Sequence, residues 1–175
     1  GGTLSSFTQV SGTEYFATFT PSTTEGLRSI KVAANAYTDA AGNHNLESHP
    51  FEWTYDTTSP TITITSAEGL SGFTSNDASI SLTFTLSEST SDFTSSYVTV
   101  IGGGTLSSFT QVSGTEYFAT YTPSTEGLQS IKVAAGVYTD AAGNHNLESH
   151  PFEWTYDTTS PTITITSAEG LSGFT

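Results

Sequence analysis

Apolar and small polar residues alternate along most of the chain. Thr61-Ile62-Thr63-Ile64-Thr65 shows the pattern most clearly, and residues 79–86 and 97–100 repeat it. Residues 116–122, 129–134 and 152–156 continue it. A period of two puts Ile, Leu, Val and Phe on one face of an extended segment and Thr or Ser on the other. That is the pattern of a half-buried antiparallel strand. Thr suits such a strand because its branched Cβ fits a pleated surface. Turn chemistry separates the runs at Ser71-Gly72, Gly102-Gly103-Gly104, Ser113-Gly114, Glu126-Gly127 and Ala142-Gly143-Asn144. No segment keeps a helical period for three turns.

The chain also repeats itself. Thr3-Leu4-Ser5-Ser6-Phe7-Thr8-Gln9-Val10 returns as residues 105–112, an offset of 102. The second copy lacks one Thr after Pro123-Ser124, and the offset becomes 101. Residues 38–45 then match 139–146, and residues 53–60 match 154–161. A period near 101 residues is domain-sized, too long for a solenoid. The cluster Asp56-Thr57-Thr58-Ser59-Pro60 lies between two alternating runs and reads as a linker. Residues 1–56 are then the C-terminal half of one repeat, 57–157 a complete repeat, and 158–175 the first strand of the next. About seven short strands in each repeat predict an all-β fold of tandem immunoglobulin-like sandwiches, Greek key in topology and without a disulfide.

Composition narrows the functional classes. The 175 residues include 17 Asp and Glu against 3 Lys and Arg, a net charge of −14. Three basic residues form no phosphate-neutralising footprint, which argues against nucleic-acid binding and against docking on anionic lipid. No apolar run reaches the roughly 18–20 residues of a membrane span. The absence of Cys excludes a disulfide scaffold and a thiolate metal site. No signal peptide is read at the start, where Gly1-Gly2-Thr3 has the character of mid-domain sequence. Sixty residues are Ser or Thr. An acidic, Lys-poor, Thr-rich surface suits an extracellular or cell-surface location. It also repels itself, and a cation would relieve that. The Ser/Thr density permits O-glycosylation, whereas no Asn-x-Ser/Thr sequon is present.

Four stretches together carry a resemblance. Asp56-Thr57-Thr58-Ser59-Pro60 runs into Thr61-Ile62-Thr63-Ile64-Thr65-Ser66. Phe84-Thr85-Leu86-Ser87-Glu88, residues 103–109 and Thr139-Asp140-Ala141-Ala142-Gly143-Asn144 follow. The chain resembles the bacterial Ig-like repeats of giant surface adhesins over essentially its whole length. That resemblance implies an extended extracellular stalk, often stiffened by calcium between domains.

In such a sandwich, with strands lettered A to G, the N-terminus and the B–C and F–G loops share one end. Asp56 lies in the linker, Glu88 follows strand B, and Asp140 and Asn144 lie in the F–G loop. These hard oxygen ligands suit Ca²⁺, which takes 6–8 of them. Glu68 and Asp77 at the opposite end, with Asp157 of the next linker, are the second candidates. The competing reading is a plain turn, because Asp-x-x-Gly-Asn is common tight-turn composition. Neither an EF-hand loop nor a Gly-Gly-x-Gly-x-Asp nonapeptide is present.

Other chemistry is sparse. His44 and His49 recur as His145 and His150. At i and i+5 on a strand they face opposite sides, so solvated turn residues are expected rather than metal ligands. Trp53, Tyr55, Trp154 and Tyr156 have the spacing of a sugar-stacking platform, but packing near the linker is the expected role. There is no Gly-x-Ser-x-Gly elbow or pocketed carboxylate pair, so no enzyme is expected. Two functions remain. One is a structural repeat giving reach and spacing in a stalk or filament, partnered by neighbouring repeats or by copies of itself. The alternative is a surface- or carbohydrate-binding module using flat arrays such as Thr61/Thr63/Thr65.

Overall fold

The computed structural model describes residues 1–166. The first 56 residues form β1 (Gly2–Gln9), β2 (Tyr15–Pro21), β3 (Gly26–Ile30) and β4 (Phe51–Tyr55). Here β1 pairs with β2 and β3 with β4, as separate two-stranded ribbons. The complete repeat follows with β5 (Ile62–Ser66), β6 (Phe73–Ser75), β7 (Ile80–Leu86), β8 (Val98–Ile101), β9 (Gly104–Gln111), β10 (Glu116–Pro123), β11 (Gly127–Val133) and β12 (Phe152–Tyr156). Its two four-stranded sheets have the orders β5-β7-β10-β9 and β6-β12-β11-β8. This is an all-β immunoglobulin-like sandwich. Every neighbouring pair is antiparallel except β6 with β12.

Alternation explains the core. Ile62 and Ile64 of β5 and Ile80, Leu82, Phe84 and Leu86 of β7 all point inward and are buried. Tyr117, Ala119 and Tyr121 of β10 meet Ile131 and Val133 of β11 and Phe152 and Trp154 of β12. Trp154 is 1% exposed and packs edge-on against Tyr121 at 5.1 Å. It is therefore a core residue and offers no sugar platform in this repeat. Phe118 is an exception to the expected inward Phe: it follows Tyr117 on the strand, so it points outward.

The strand β9 escaped the period-two reading because it bulges. Ser108 has φ 53°, and the pairing jumps from Phe118↔Thr110 to Thr120↔Ser107. The extra residue lets Leu106 and Phe109, three positions apart, pack against the same core. The first copy repeats the device, with Ser6 at φ 51° and a register shift between Ser5 and Thr8.

Within residues 1–56 the two ribbons leave side chains exposed whose counterparts in the complete repeat belong to the core. Leu4, Phe7, Tyr15 and Phe51 are exposed. The expected strand beyond Pro161 is absent from the described residues, since 161–166 make no β-ladder. Their counterparts in β5 are held by β7, from Ile62↔Leu86 to Ser66↔Leu82. The rest of that expected strand lies outside the described residues.

Candidate metal centre

Three segments meet where the chain enters the complete repeat: the linker, the loop after β7 and the long loop between β11 and β12. The first two are tied by exchange of Ser87 N–H to Thr61 C=O at 2.9 Å and Thr61 N–H to Ser87 Oγ at 2.9 Å. Leu147 N–H of the long loop donates to Pro60 C=O at 2.9 Å. Asp56, Glu88 and Asp140 each bring a carboxylate oxygen to this corner, all within 4.8 Å of one another. Among the described residues no other set of three His, Asp or Glu side chains converges so closely.

Asp140 is buried and organises its own loop. Its Oδ1 accepts from Ala142 N–H at 2.8 Å and Asn144 N–H at 2.9 Å, and its Oδ2 from Asn144 Nδ2 at 2.9 Å. Gly143, at φ 93°, supplies the left-handed residue this turn needs. Burial opposes ionisation of Asp140, but these hydrogen bonds outweigh it and hold its pKa below the usual value. The first copy closes the same turn at Asp39, which joins no group of three converging acidic side chains among the described residues, so the turn does not need one. The complete repeat adds the convergence. Asn144 joins the corner through its amide nitrogen, which donates to Asp140 and to Asp56 C=O at 3.3 Å. Its expected contribution was an oxygen.

Glu88 shows the strain of the cluster. Burial raises its pKa first, and the charges of Asp56, Asp140 and Glu25 raise it further. Asp92 is a site residue that the sequence reading missed. Its carboxylate accepts from Thr90 Oγ1 and, at 3.2 Å, from Thr139 N–H and Oγ1. Thr90 Oγ1 also reaches Thr139 C=O at 2.6 Å. Asp92 thus locks the two loops together immediately before Asp140. The available signal was Thr90-Ser91-Asp92, a side-chain-capped turn.

The second candidates do not gather in the same way. Glu68, Asp77 and Asp157 line an open hollow of about 380 Å³ at the other end of the sandwich. Each is spent locally. Glu68 accepts from Ser66 Oγ and Ser81 N–H, Asp77 from Ser75 Oγ, and Asp157 from Thr159 N–H. His145 and His150 are exposed. The buried members of that stretch are Asn146 and Ser149. Asn146 Oδ1 accepts from Val137 and Tyr138 N–H, and its Nδ2 donates to Ala134 and Leu147 C=O. Ser149 Oγ accepts from Val133 N–H.

The sequence profile of the bacterial Ig-like domain matches residues 1–54 and again 56–155. The chain belongs to the bacterial Ig-like domain family. Two matches in tandem make it a structural repeat of the kind typically found outside the cell or on its surface, and the family is generally non-catalytic. No curated protein matches the sequence. No helix among the described residues is long and apolar enough to cross a membrane.

Proposed function

We propose that this bacterial Ig-like array is a spacer in an extracellular adhesin stalk or cell-surface filament, stiffened by Ca²⁺ at each junction. Strands of 5–8 residues at 3.3 Å per residue, plus a linker, give roughly 40 Å of reach per repeat. The observation that carries the cation is the meeting of Asp56, Glu88 and Asp140 from three separate segments. Each carboxylate pair at this range costs about 1 kcal/mol even at the dielectric of water. A divalent cation turns that cost into attraction and ties the linker to both loops. Backbone carbonyls and water complete the 6–8 oxygens Ca²⁺ prefers.

The outward face of β5, β7 and β10 supports a second reading, surface or carbohydrate binding. Thr63 lies opposite Thr85, Thr65 opposite Thr83, and Thr120 opposite Ser81, a regular hydroxyl array. Phe118 interrupts it.

An amide NMR titration of the chain with Ca²⁺ tests the proposal. Saturable shifts should centre on residues 56–58, 88 and 140–144. Shifts centred on Glu68 and Asp77, or none that saturate, would refute the junction site.

A further inference from the structure

The linker is also gripped from behind, by the repeat it leaves. Glu25 sits in the turn between β2 and β3. Its Oε1 accepts from Thr57 N–H at 2.7 Å and Thr57 Oγ1 at 2.5 Å, and its Oε2 from Thr58 Oγ1 at 2.8 Å. Asp56 Oδ1 takes the remaining donor, Thr58 N–H, at 2.9 Å. The second junction repeats the set. Glu126, between β10 and β11, accepts from Thr158 N–H at 2.8 Å, from Thr158 Oγ1, and from Thr159 Oγ1 at 3.0 Å. Asp157 Oδ1 again takes Thr159 N–H at 2.9 Å. A carboxylate is an acceptor-only group with two oxygens, which matches the one backbone N–H and two hydroxyls that the paired Thr residues turn toward it.

Two features separate this grip from its surroundings. The extra Thr in the first copy falls upstream of Glu25, and Glu and Thr remain 32 residues apart at both junctions. Moreover, a complete sandwich follows the first linker, whereas the described residues after the second, 161–166, make no ladder. The contacts are the same in both places. What lies downstream therefore does not create them.

We infer that Glu25 and Glu126 are linker-positioning residues: each clamps Asp-Thr-Thr onto its own repeat and sets the direction in which the chain leaves it, with or without a cation. Junction stiffness then has two sources. One is the clamp, which belongs to the repeat that ends. The other is the acidic corner, completed by the repeat that begins. The one-residue difference between the copies is tolerated because it falls in the turn before Glu and leaves the Glu-to-linker spacing intact. The hydrogen bonds from Thr158 and then Thr159 also hold the Glu126 pKa below its ordinary value, consistent with a carboxylate in use.

The test is backbone NMR on the 175-residue chain, with chelator present throughout so that the result is independent of calcium. In the parent chain the ¹⁵N heteronuclear NOEs of Thr158 and Thr159 should match those of β12, and the Thr158 amide should be protected from exchange. Glu126→Ala should lower both NOEs to the level of 161–166 and speed Thr158 exchange about tenfold. Amides of β7 and β10 should stay unchanged, showing that the sandwich is intact. Glu126→Gln should restore order, because its amide oxygen still accepts from Thr158 and its amide nitrogen donates to Thr159 Oγ1. Low NOEs at Thr158 and Thr159 in the parent chain, or unchanged values in Glu126→Ala, would overturn the inference.

Discussion

Tyr121 and Gln129 show how single residues constrain one another in this fold. Gln129 is fully buried, and every hydrogen-bonding group it has is used. Its Oε1 accepts from Tyr121 OH at 2.7 Å, and its Nε2 donates to Thr125 C=O and Gly127 C=O. The first copy has Phe19 and Arg28 at these two positions. The pair changes together because Phe removes the donor that Gln needs. Arg28 instead donates to Gly26 and Leu27 C=O and lies 5.5 Å over the Tyr55 ring. Tyr121→Phe should therefore leave Gln129 Oε1 unpaired in the core and cost about 1–3 kcal/mol, read by denaturant unfolding. Asn35 and Gly136 are a gentler exchange. Both sit at left-handed φ, 62° and 74°, which these two residue types accept best. The alternating Ile and Leu positions of the core were legible from period alone, whereas on β10 the buried residues are Tyr117 and Tyr121 in place of the expected Phe118. The Tyr121–Gln129 pair was not, because its partners lie on different strands.

Strands whose two faces differ in polarity announce themselves, and β5, β7, β10 and β12 do so. The bulge in β9 breaks the period, and β6 is a three-residue edge strand too short to show one. The corner was legible because the expected sandwich already places the linker and two loops at one end. Asp56, Glu88 and Asp140 needed only that topology to be brought together. Asp92 and the Glu25 and Glu126 clamps were not legible, since each depends on which backbone and hydroxyl groups one turn side chain reaches, and strand order alone does not give that. Meeting loops also make a prediction for pH. Burial and then the neighbouring carboxylates raise the Glu88 pKa in the folded repeat. A raised acid pKa favours the fold below it, and that stability is lost as pH rises through it. Without calcium, Glu88→Gln should raise the melting temperature by a few degrees at neutral pH. The gain should shrink toward zero as pH falls through the Glu88 titration, where the native side chain also becomes neutral. A gain that is equal at both pH values would show that repulsion is not its cause.

At the scale of the whole molecule, a repeat of about 101 residues and a charge of −14 describe an array that must hold its shape against its own repulsion. Sandwich cores stabilise each repeat, and the junctions decide whether the array is stiff. Repeat length and tandem organisation were plain from the offset of 102 becoming 101. Residues 161–166 were less plain, since they carry the alternation of β5 yet make no ladder among the described residues. The measurement that tests the central claim most directly is a thermal melt of this chain with and without millimolar Ca²⁺, beside Asp140→Ala. Tenfold excess over the dissociation constant contributes about 1.4 kcal/mol, or roughly 5–10 °C for a domain of this size. The account predicts that rise in the parent chain and its loss in Asp140→Ala. No rise in the parent, or an equal rise in the variant, would contradict a calcium-stiffened junction.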